Sequence, residues 1–253
     1  MSDFSGNTAF VTGAAGGIGL AVVKALLNEG VQVVATDMSP DRLADLACDS
    51  LQAFSLDVTK STEVDSLIDD VVARCGGFDF GVNIAGVLST TAVLETSDAE
   101  WDRVFAVNTA GVFHVSRALA RHMIPRGKGS IVTVSSNAAG IPRKNMAAYA
   151  ASKAASTMFT RCLGLELAEH GIRCNIVAPG STLTPMQTGM WTDDRGDRRV
   201  IEGSLENFRT GIPLGKLATP QDVAHSVLFL LSEKAAHITM ADLYVDGGAT
   251  LHA

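Results

Sequence analysis

Short runs of β-branched and apolar residues alternate along this chain with longer segments of helical periodicity. An unbroken alternation of this kind predicts one parallel sheet with helices on both of its faces. The run Ile131-Val132-Thr133-Val134 is apolar almost throughout, as expected of a strand that is covered on both sides. The pattern therefore predicts the α/β class, and within it a Rossmann-like, doubly wound parallel sheet of about seven strands.

The expected strands lie at residues 8–12, 32–37, 52–56, 80–83, 130–134, 173–177 and 243–245. The expected helices lie at 17–29, 40–47, 61–74, 97–126, 146–170 and 220–231. Neither a linker nor a repeat of fixed period divides this pattern, so residues 1–253 are expected to form a single domain.

One segment, 181–209, breaks the alternation between the sixth strand and the last helix. It is rich in charge and glycine, and it falls at the carboxyl edge of the expected sheet. Insertions at that edge often contribute to binding, so the segment is expected to form a small substrate lid. A surface excursion without a role in binding is the alternative.

The net charge and the distribution of apolar residues limit the possible partners. The net charge is −7 and no basic stripe is present, so nucleic acid is not expected as a partner. No apolar run reaches the roughly 20 residues that a membrane-spanning helix needs. The chain starts without a basic segment followed by an apolar one, so a cytoplasmic protein is expected. Its four cysteines form no Cys-x-x-Cys pair and no zinc-like spacing occurs, so we expect reduced thiols and no metal.

Glycines concentrate between the first expected strand and the first expected helix, in Thr12-Gly13-Ala14-Ala15-Gly16-Gly17-Ile18-Gly19. Gly13 permits a sharp turn, Gly17 leaves room for a pyrophosphate, and Gly19 allows helix and sheet to approach closely. The first N–H groups of the helix then face the phosphates. In this strand–turn–helix context the cluster, with Ile18, predicts a dinucleotide site.

Asp37 ends the second expected strand, 18 residues past Gly19. A carboxylate there can bind both ribose hydroxyls of NAD and repels the 2′-phosphate of NADP. No Arg or Lys lies in the glycine loop or next to Asp37 in the sequence, so NAD is expected over NADP; a solvated Asp at a strand end is the alternative. Residues at nearby strand ends are expected to complete the adenosine side of the site: Met38, Asp57, Val58, Asn83, Ala85 and Gly86.

Tyr149 and Lys153 lie four residues apart in a predicted helix, so their side chains share one face. A phenol is a poor base at neutral pH, because its reference pKa is about 10. An ammonium one turn away stabilises the phenolate and lowers that pKa. The pair therefore predicts an acid/base device for proton exchange with an alcohol oxygen. The spacing alone also fits an amphipathic helix with a lysine that reaches to solvent.

Taken together, these features resemble the short-chain dehydrogenase/reductase family over essentially the whole length of the chain. The matching pieces are 12–19, 83–86, Asn108 in Val107-Asn108-Thr109, Ser136, Tyr149 with Lys153, and Pro179-Gly180 with Thr184. The resemblance implies a nicotinamide cofactor, with Pro179, Gly180, Thr182 and Thr184 running beside it. It also implies a homotetramer whose interfaces come from the helices at 97–126 and 146–170.

The resemblance also implies the catalytic roles. Tyr149 takes the hydroxyl proton of the substrate while hydride leaves for the nicotinamide, and Ser136 donates a hydrogen bond to the same oxygen. Lys153 lowers the pKa of Tyr149 and binds the nicotinamide ribose, and Asn108 holds a water that links Lys153 to solvent. Without their neighbours, Ser136 and Asn108 would be interpreted as residues that cap a loop or turn.

Within the family, the chain is similar to members that oxidise the C3 hydroxyl of a small cyclohexadiene carboxylate. By that resemblance Arg143 and Gln187 bind the carboxylate and the ring substituents, Met146 packs on the ring, and Ser136 and Tyr149 hold the reacting oxygen. A guanidinium fork suits a carboxylate, although an Arg at this position is equally compatible with a surface residue.

One departure leaves the substrate open. The related members have an acidic residue where this chain has Pro185, and often one at the position of Leu183. We expect a hydroxyl group at C2 of the ring, with an amino group at C2 as the alternative. Two further classes fit parts of the pattern: a non-catalytic NAD-sensing protein, and a ketoacyl or sugar-alcohol reductase. The complete set of Asn108, Ser136, Tyr149 and Lys153 disfavours the first, and Asp37 with Arg143 disfavours the second.

Overall fold

The computed structural model describes residues 4–191 and 193–251. Its centre is a seven-stranded sheet in the order β3-β2-β1-β4-β5-β6-β7, in which every neighbouring pair is parallel. The strands are β1 Thr8–Thr12, β2 Gln32–Asp37, β3 Leu51–Ser55, β4 Phe80–Asn83, β5 Gly129–Val134, β6 Ile172–Pro179 and β7 Asp242–Val245. The expected fold class and strand number are confirmed.

Helices cover both faces of this sheet. They are α1 Gly17–Asn28, α2 Ser61–Cys75, α3 Asp98–Phe105, α4 Val112–Met123, α5 Ala147–Leu167, α6 Pro185–Thr188, α7 Gly196–Glu202 and α8 Pro220–Leu231. Within residues 4–191 and 193–251, none of the helices has the length and hydropathy that crossing a bilayer requires.

Two hydrophobic cores result, one on each face. On β1, Val11 packs into the core formed with α1 and α8, whereas its neighbour Phe10 packs into the core formed with α2 and α4. Successive strand residues point to opposite faces, so a strand that is buried on both sides has to be apolar at every position. This requirement is the physical origin of the continuous apolar runs.

The connections reverse direction at β1, which lies between β2 and β4. At such a reversal the loops after the two central strands diverge to opposite faces and leave a crevice at the carboxyl edge of the sheet. The glycine loop, Asp37 and the residues after β4 all end at this edge. The fold therefore gathers them around one crevice.

Two expected helices differ in detail. Residues Pro40–Leu46 form a 3₁₀ helix, because only Leu43 in this short segment is buried and no apolar stripe supports a longer α-helix. The helical segment expected at 97–126 is divided between α3 and α4 by a π-turn at Ala106–Gly111, which contains Asn108. The expected lid contains α6 and α7.

Candidate active site

The glycine loop lies against the chain segment that follows β4. Gly13 has φ of +63°, and a Cβ on it would lie 2.6 Å from the amide nitrogen of Ala85. The side chain of Thr12 ties the two segments together, since its Oγ1 accepts hydrogen bonds from the N–H groups of Ile84 (3.1 Å) and Ala85 (3.2 Å). The turn at Gly13 and the position of the loop after β4 are thus fixed by one another.

Gly17 and Gly19 have neighbours other than those expected. A Cβ on Gly17 would lie 2.7 Å from the side chain of Thr184, so the segment 181–209 covers this position. A Cβ on Gly19 would collide with the carbonyl oxygen of Gly13. Gly19 therefore permits α1 to approach its own preceding loop, which corrects the expectation of a close approach between helix and sheet.

Asp37 lies at the carboxyl end of β2, beside this loop. One carboxylate oxygen accepts a hydrogen bond from the N–H of Ala15 (3.1 Å) and the other from the N–H of Ser39 (3.1 Å). Arg42 also reaches the site, because the 3₁₀ helix turns the chain back and its guanidinium donates to the carbonyl oxygen of Ala15 (3.0 Å). A basic group therefore lies near Asp37 in space, although none is adjacent to it along the sequence.

A cavity of about 380 Å³ connects the glycine loop with Tyr149 and Lys153. Most residues expected to bind the cofactor line it: Gly13, Gly17, Ile18, Gly19, Asp37, Met38, Asp57, Val58, Ala85, Gly86, Tyr149, Lys153 and Thr184. Pro179, Gly180 and Thr182 instead line the adjoining cavity on the other side of Tyr149.

Asn83 does not line either cavity, contrary to the expectation. Its amide nitrogen donates to Ser116 Oγ (2.9 Å), and its side chain is buried between β4 and α4. Because α4 covers this face of the strand, Asn83 supports the following loop from within the protein instead of facing the crevice.

Tyr149 and Lys153 lie on α5, one turn apart, and both are buried. The Lys153 Nζ lies 5.9 Å from the centroid of the Tyr149 ring and donates a hydrogen bond to the carbonyl oxygen of Val134 (3.0 Å). Ser136 follows β5, and its hydroxyl is a hydrogen-bond partner of Tyr149. The Ser136 Oγ also accepts from the N–H of Ala138 (3.1 Å), so it caps a turn as well.

Burial controls the protonation of this pair. It raises the pKa of Tyr149 above its ordinary value, and the hydrogen bond from Ser136 only partly opposes the shift. Burial also lowers the pKa of Lys153 to about 8. The spacing predicted a lowered phenol pKa, whereas the pKa of Tyr149 is raised in the protein alone, because burial outweighs the hydrogen bond of Ser136.

Asn108 is fully buried in the π-turn. Its Oδ1 accepts from the N–H of Val87 (2.8 Å), while its Nδ2 donates to the Val87 carbonyl oxygen (2.9 Å) and to Ser152 Oγ (3.0 Å). A Cβ on Gly86 would lie 3.2 Å from Asn108 Oδ1 and 3.3 Å from Lys153 Nζ. Asn108 thus joins the loop after β4 to α5, and its expected water-holding role stays a prediction.

The adjoining cavity brings together every residue expected to bind the substrate: Ser136, Arg143, Met146, Tyr149 and Gln187. Arg209, which no sequence pattern indicated, lines it too. No Asp or Glu is among the described residues of its wall. Burial and the neighbouring charge of Arg209 lower the pKa of Arg143, while Asp246 opposes this shift. The cavity is therefore cationic and suited to an anion. No cluster of metal-binding side chains occurs within the described ranges.

The chain belongs to the short-chain dehydrogenase/reductase family. A family model described as enoyl-(acyl carrier protein) reductase matches residues 13–250. The 2,3-dihydro-2,3-dihydroxybenzoate dehydrogenase of Bacillus subtilis is 52% identical over 252 residues, which cover 97% of each chain. The enzyme of the same name from Escherichia coli is 41% identical over 261 residues, which cover 99% of this chain and 100% of its own. The ligand-free aldohexose dehydrogenase of Thermoplasma acidophilum matches with a TM-score of 0.87 at 32% identity, covering 100% of this chain and 97% of its own.

Dehydrogenases of this family use a nicotinamide cofactor, and the cavity between the glycine loop and Lys153 is lined by residues suited to one. The N-cap residue of α1 is Gly16, which has no side chain to cap the helix, so the first N–H groups of α1 are available to a pyrophosphate. Asp37 offers a carboxylate at one end of the cavity, and Tyr149 with Lys153 lies at the other. The residues present thus match the two ends of a dinucleotide.

Gly13→Ala should abolish cofactor binding and lower the free energy of unfolding by about 3 kcal/mol or more, because backbone atoms of Ala85 cannot move aside. Gly127→Ala is the matched control, since Gly127 has the same φ of +63° but no described atom within 4 Å of where its Cβ would lie. That variant should lose only about 1–2 kcal/mol and keep its cofactor affinity. Denaturant unfolding and cofactor titration measure these two effects. Equal losses of stability and of cofactor affinity in the two variants would contradict the close approach of Gly13 to Ala85.

Proposed function

We propose that this protein oxidises the C3 hydroxyl of 2,3-dihydro-2,3-dihydroxybenzoate to give 2,3-dihydroxybenzoate, with NAD as the hydride acceptor. The observation that carries the proposal is the cationic cavity beside Tyr149 and Ser136, which has two guanidiniums and no carboxylate in its described wall. The two relatives named for this reaction support the same substrate.

The reaction separates into a hydride and a proton. A nicotinamide held beside Tyr149 and Lys153 would supply the acceptor for the hydride of C3, and Tyr149 takes the hydroxyl proton, so the first product is a ketone. The hydrogen at C2 then leaves as a proton and the ketone oxygen gains one, which gives the aromatic phenol. Aromatisation makes the net oxidation strongly favourable.

The protein's own groups hold the reacting oxygen and move its proton. The hydroxyls of Ser136 and Tyr149 are hydrogen-bonded to each other, so both are placed to contact the substrate oxygen. Because burial raises the pKa of Tyr149, its phenolate is the minor form at neutral pH and needs a cation nearby. Lys153, with a pKa of about 8, remains mostly protonated at neutral pH and supplies that charge. Asn108 positions the loop that lies against the Lys153 amine.

The alternative substrate with an amino group at C2 fits this cavity less well. An amine on a saturated ring carbon is protonated at neutral pH and would lie near Arg143 and Arg209, with no carboxylate of the described wall to neutralise it. A non-catalytic NAD sensor has no need of the buried acid/base pair, whose desolvation destabilises the charged forms.

Tyr149→Phe should lower kcat for the dihydrodiol by about 10²–10⁴-fold while the affinity for the cofactor changes little, because only the proton acceptor is removed. Tyr244→Phe is the matched control, since it deletes the hydroxyl of the only other tyrosine, which lines neither cavity. Steady-state kinetics and cofactor titration of both variants measure the changes in kcat and in cofactor affinity. Parallel loss of turnover and cofactor binding in Tyr149→Phe would give Tyr149 a structural role.

The preference for NAD rests on a balance between Asp37 and Arg42. Asp37→Ala should lower the ratio of kcat/KM for NAD over that for NADP by about 10- to 100-fold, because a carboxylate bound to ribose hydroxyls repels a 2′-phosphate. Arg42→Ala should raise the same ratio by removing the nearby cation. If Asp37→Ala left the ratio unchanged, Asp37 would have no part in binding the ribose.

A homotetramer is proposed as the assembly, with contacts through the outer faces of α4 and α5. Phe113, Met158 and Leu165 expose apolar side chains there, with Leu165 69% exposed. Sedimentation velocity should give a species of four chains, and Leu165→Glu should shift it toward smaller species because a charge would be buried in the interface. Monomers alone at all concentrations of the unaltered protein would contradict the assembly.

A further inference from the structure

The turn at 204–209 fixes the position of Arg209 in the lid. Ser204 and Arg209 face each other as an antiparallel pair: the N–H of Ser204 donates to the Arg209 carbonyl oxygen (2.9 Å), and the N–H of Arg209 donates to that of Ser204 (2.8 Å). The apolar residues of the turn, Leu205 and Phe208, are exposed, whereas the Arg209 side chain lines the cavity beside Tyr149. The backbone of the turn thus holds one cation at the wall of the site.

The Arg209 guanidinium is only partly satisfied by the protein. Its Nη2 lies 3.7 Å from the sulfur of Met146, a weak acceptor, and its Nε is buried without a hydrogen-bond partner among the described residues. A buried N–H group without a partner destabilises the protein unless something else accepts its hydrogen bond.

Arg143 faces the same cavity from the loop before α5. In the described part of the chain, no carboxylate lies within ion-pair distance of either guanidinium. Asp246 is the acidic residue whose charge acts on Arg143, but its oxygens accept hydrogen bonds from Asn137, Gly248 and Thr250. The two guanidiniums consequently repel each other, and no carboxylate among the described residues of the cavity wall lies between them.

We propose that Arg209 and Arg143 together bind the carboxylate of the substrate, and that Arg209 thereby determines specificity for an acid over a neutral ring. This inference rests on the proposed function, because it assigns the carboxylate end of that substrate. A carboxylate has enough lone pairs to accept hydrogen bonds from two guanidiniums, and its negative charge offsets the repulsion between Arg143 and Arg209. Arg143 lies on the loop before α5, and Arg209 lies in the lid. One bound carboxylate would therefore connect the lid to the loop that leads into the helix of Tyr149.

Binding of the product and of a neutral analogue to the NAD-loaded protein tests this inference. Arg209→Gln should weaken the binding of 2,3-dihydroxybenzoate by roughly 10- to 100-fold, while the binding of catechol, which lacks the carboxylate, stays within about twofold. Arg209→Lys keeps the positive charge but not the paired donors of a guanidinium. Its affinity for 2,3-dihydroxybenzoate should therefore lie between those of Arg209→Gln and the unaltered protein. Arg198→Gln is the matched control: it makes the same change in the same lid, on an exposed arginine of α7 that lies outside the cavity wall.

Turnover gives a second readout. For 2,3-dihydro-2,3-dihydroxybenzoate, Arg209→Gln should raise KM with a smaller effect on kcat. The oxidation of the corresponding cyclohexadiene diol that lacks the carboxylate should be unaffected. Equal weakening for 2,3-dihydroxybenzoate and catechol, or no weakening for either, would overturn the inference. If the unaltered protein bound 2,3-dihydroxybenzoate through Arg209 yet failed to oxidise the dihydrodiol, the anion site would stand and the proposed function would fall.

Discussion

The close contact between the ends of β1 and β4 is the constraint on which the site depends. A glycine with positive φ and a threonine hydroxyl hold the glycine loop against the backbone of Ala85. The same segment after β4 continues past Gly86 to Val87, which Asn108 binds through both of its amide atoms. The glycine-loop end and the Lys153 end of the crevice are thereby built on one continuous stretch of backbone.

Desolvation determines the protonation of Tyr149 and Lys153. A phenol and an amine that are buried together each lose stability in the charged form, so the phenol keeps its proton and the amine releases its proton more readily than usual. At neutral pH the phenol therefore keeps its proton, whereas the amine, with a pKa of about 8, remains mostly protonated. Formation of the phenolate therefore depends on what binds at this end of the crevice.

Much of the fold could be predicted because its determinants are local. The continuous apolar runs report strands covered on both faces, and the position of the glycine cluster between a strand and a helix reports the turn after β1. Tyr149 and Lys153 could be paired from sequence because one helical turn separates them. The residues that were missed, Arg42 and Arg209, reach the crevice only through backbone turns that no local pattern encodes. The direction of the Tyr149 pKa was also missed, since spacing describes a neighbour but not the loss of water around it.

The π-turn at Ala106–Gly111 has a consequence for how sequences of this kind can diverge. It adds one residue to a helical turn, and one residue corresponds to a rotation of about 100° around the helix axis. Loss of a single residue from this segment would carry Asn108 away from Val87 and, in the same movement, turn the Phe113 side of α4 to a new direction. An insertion or deletion at this point would therefore change the interior of the crevice and the outer surface of α4 at the same time.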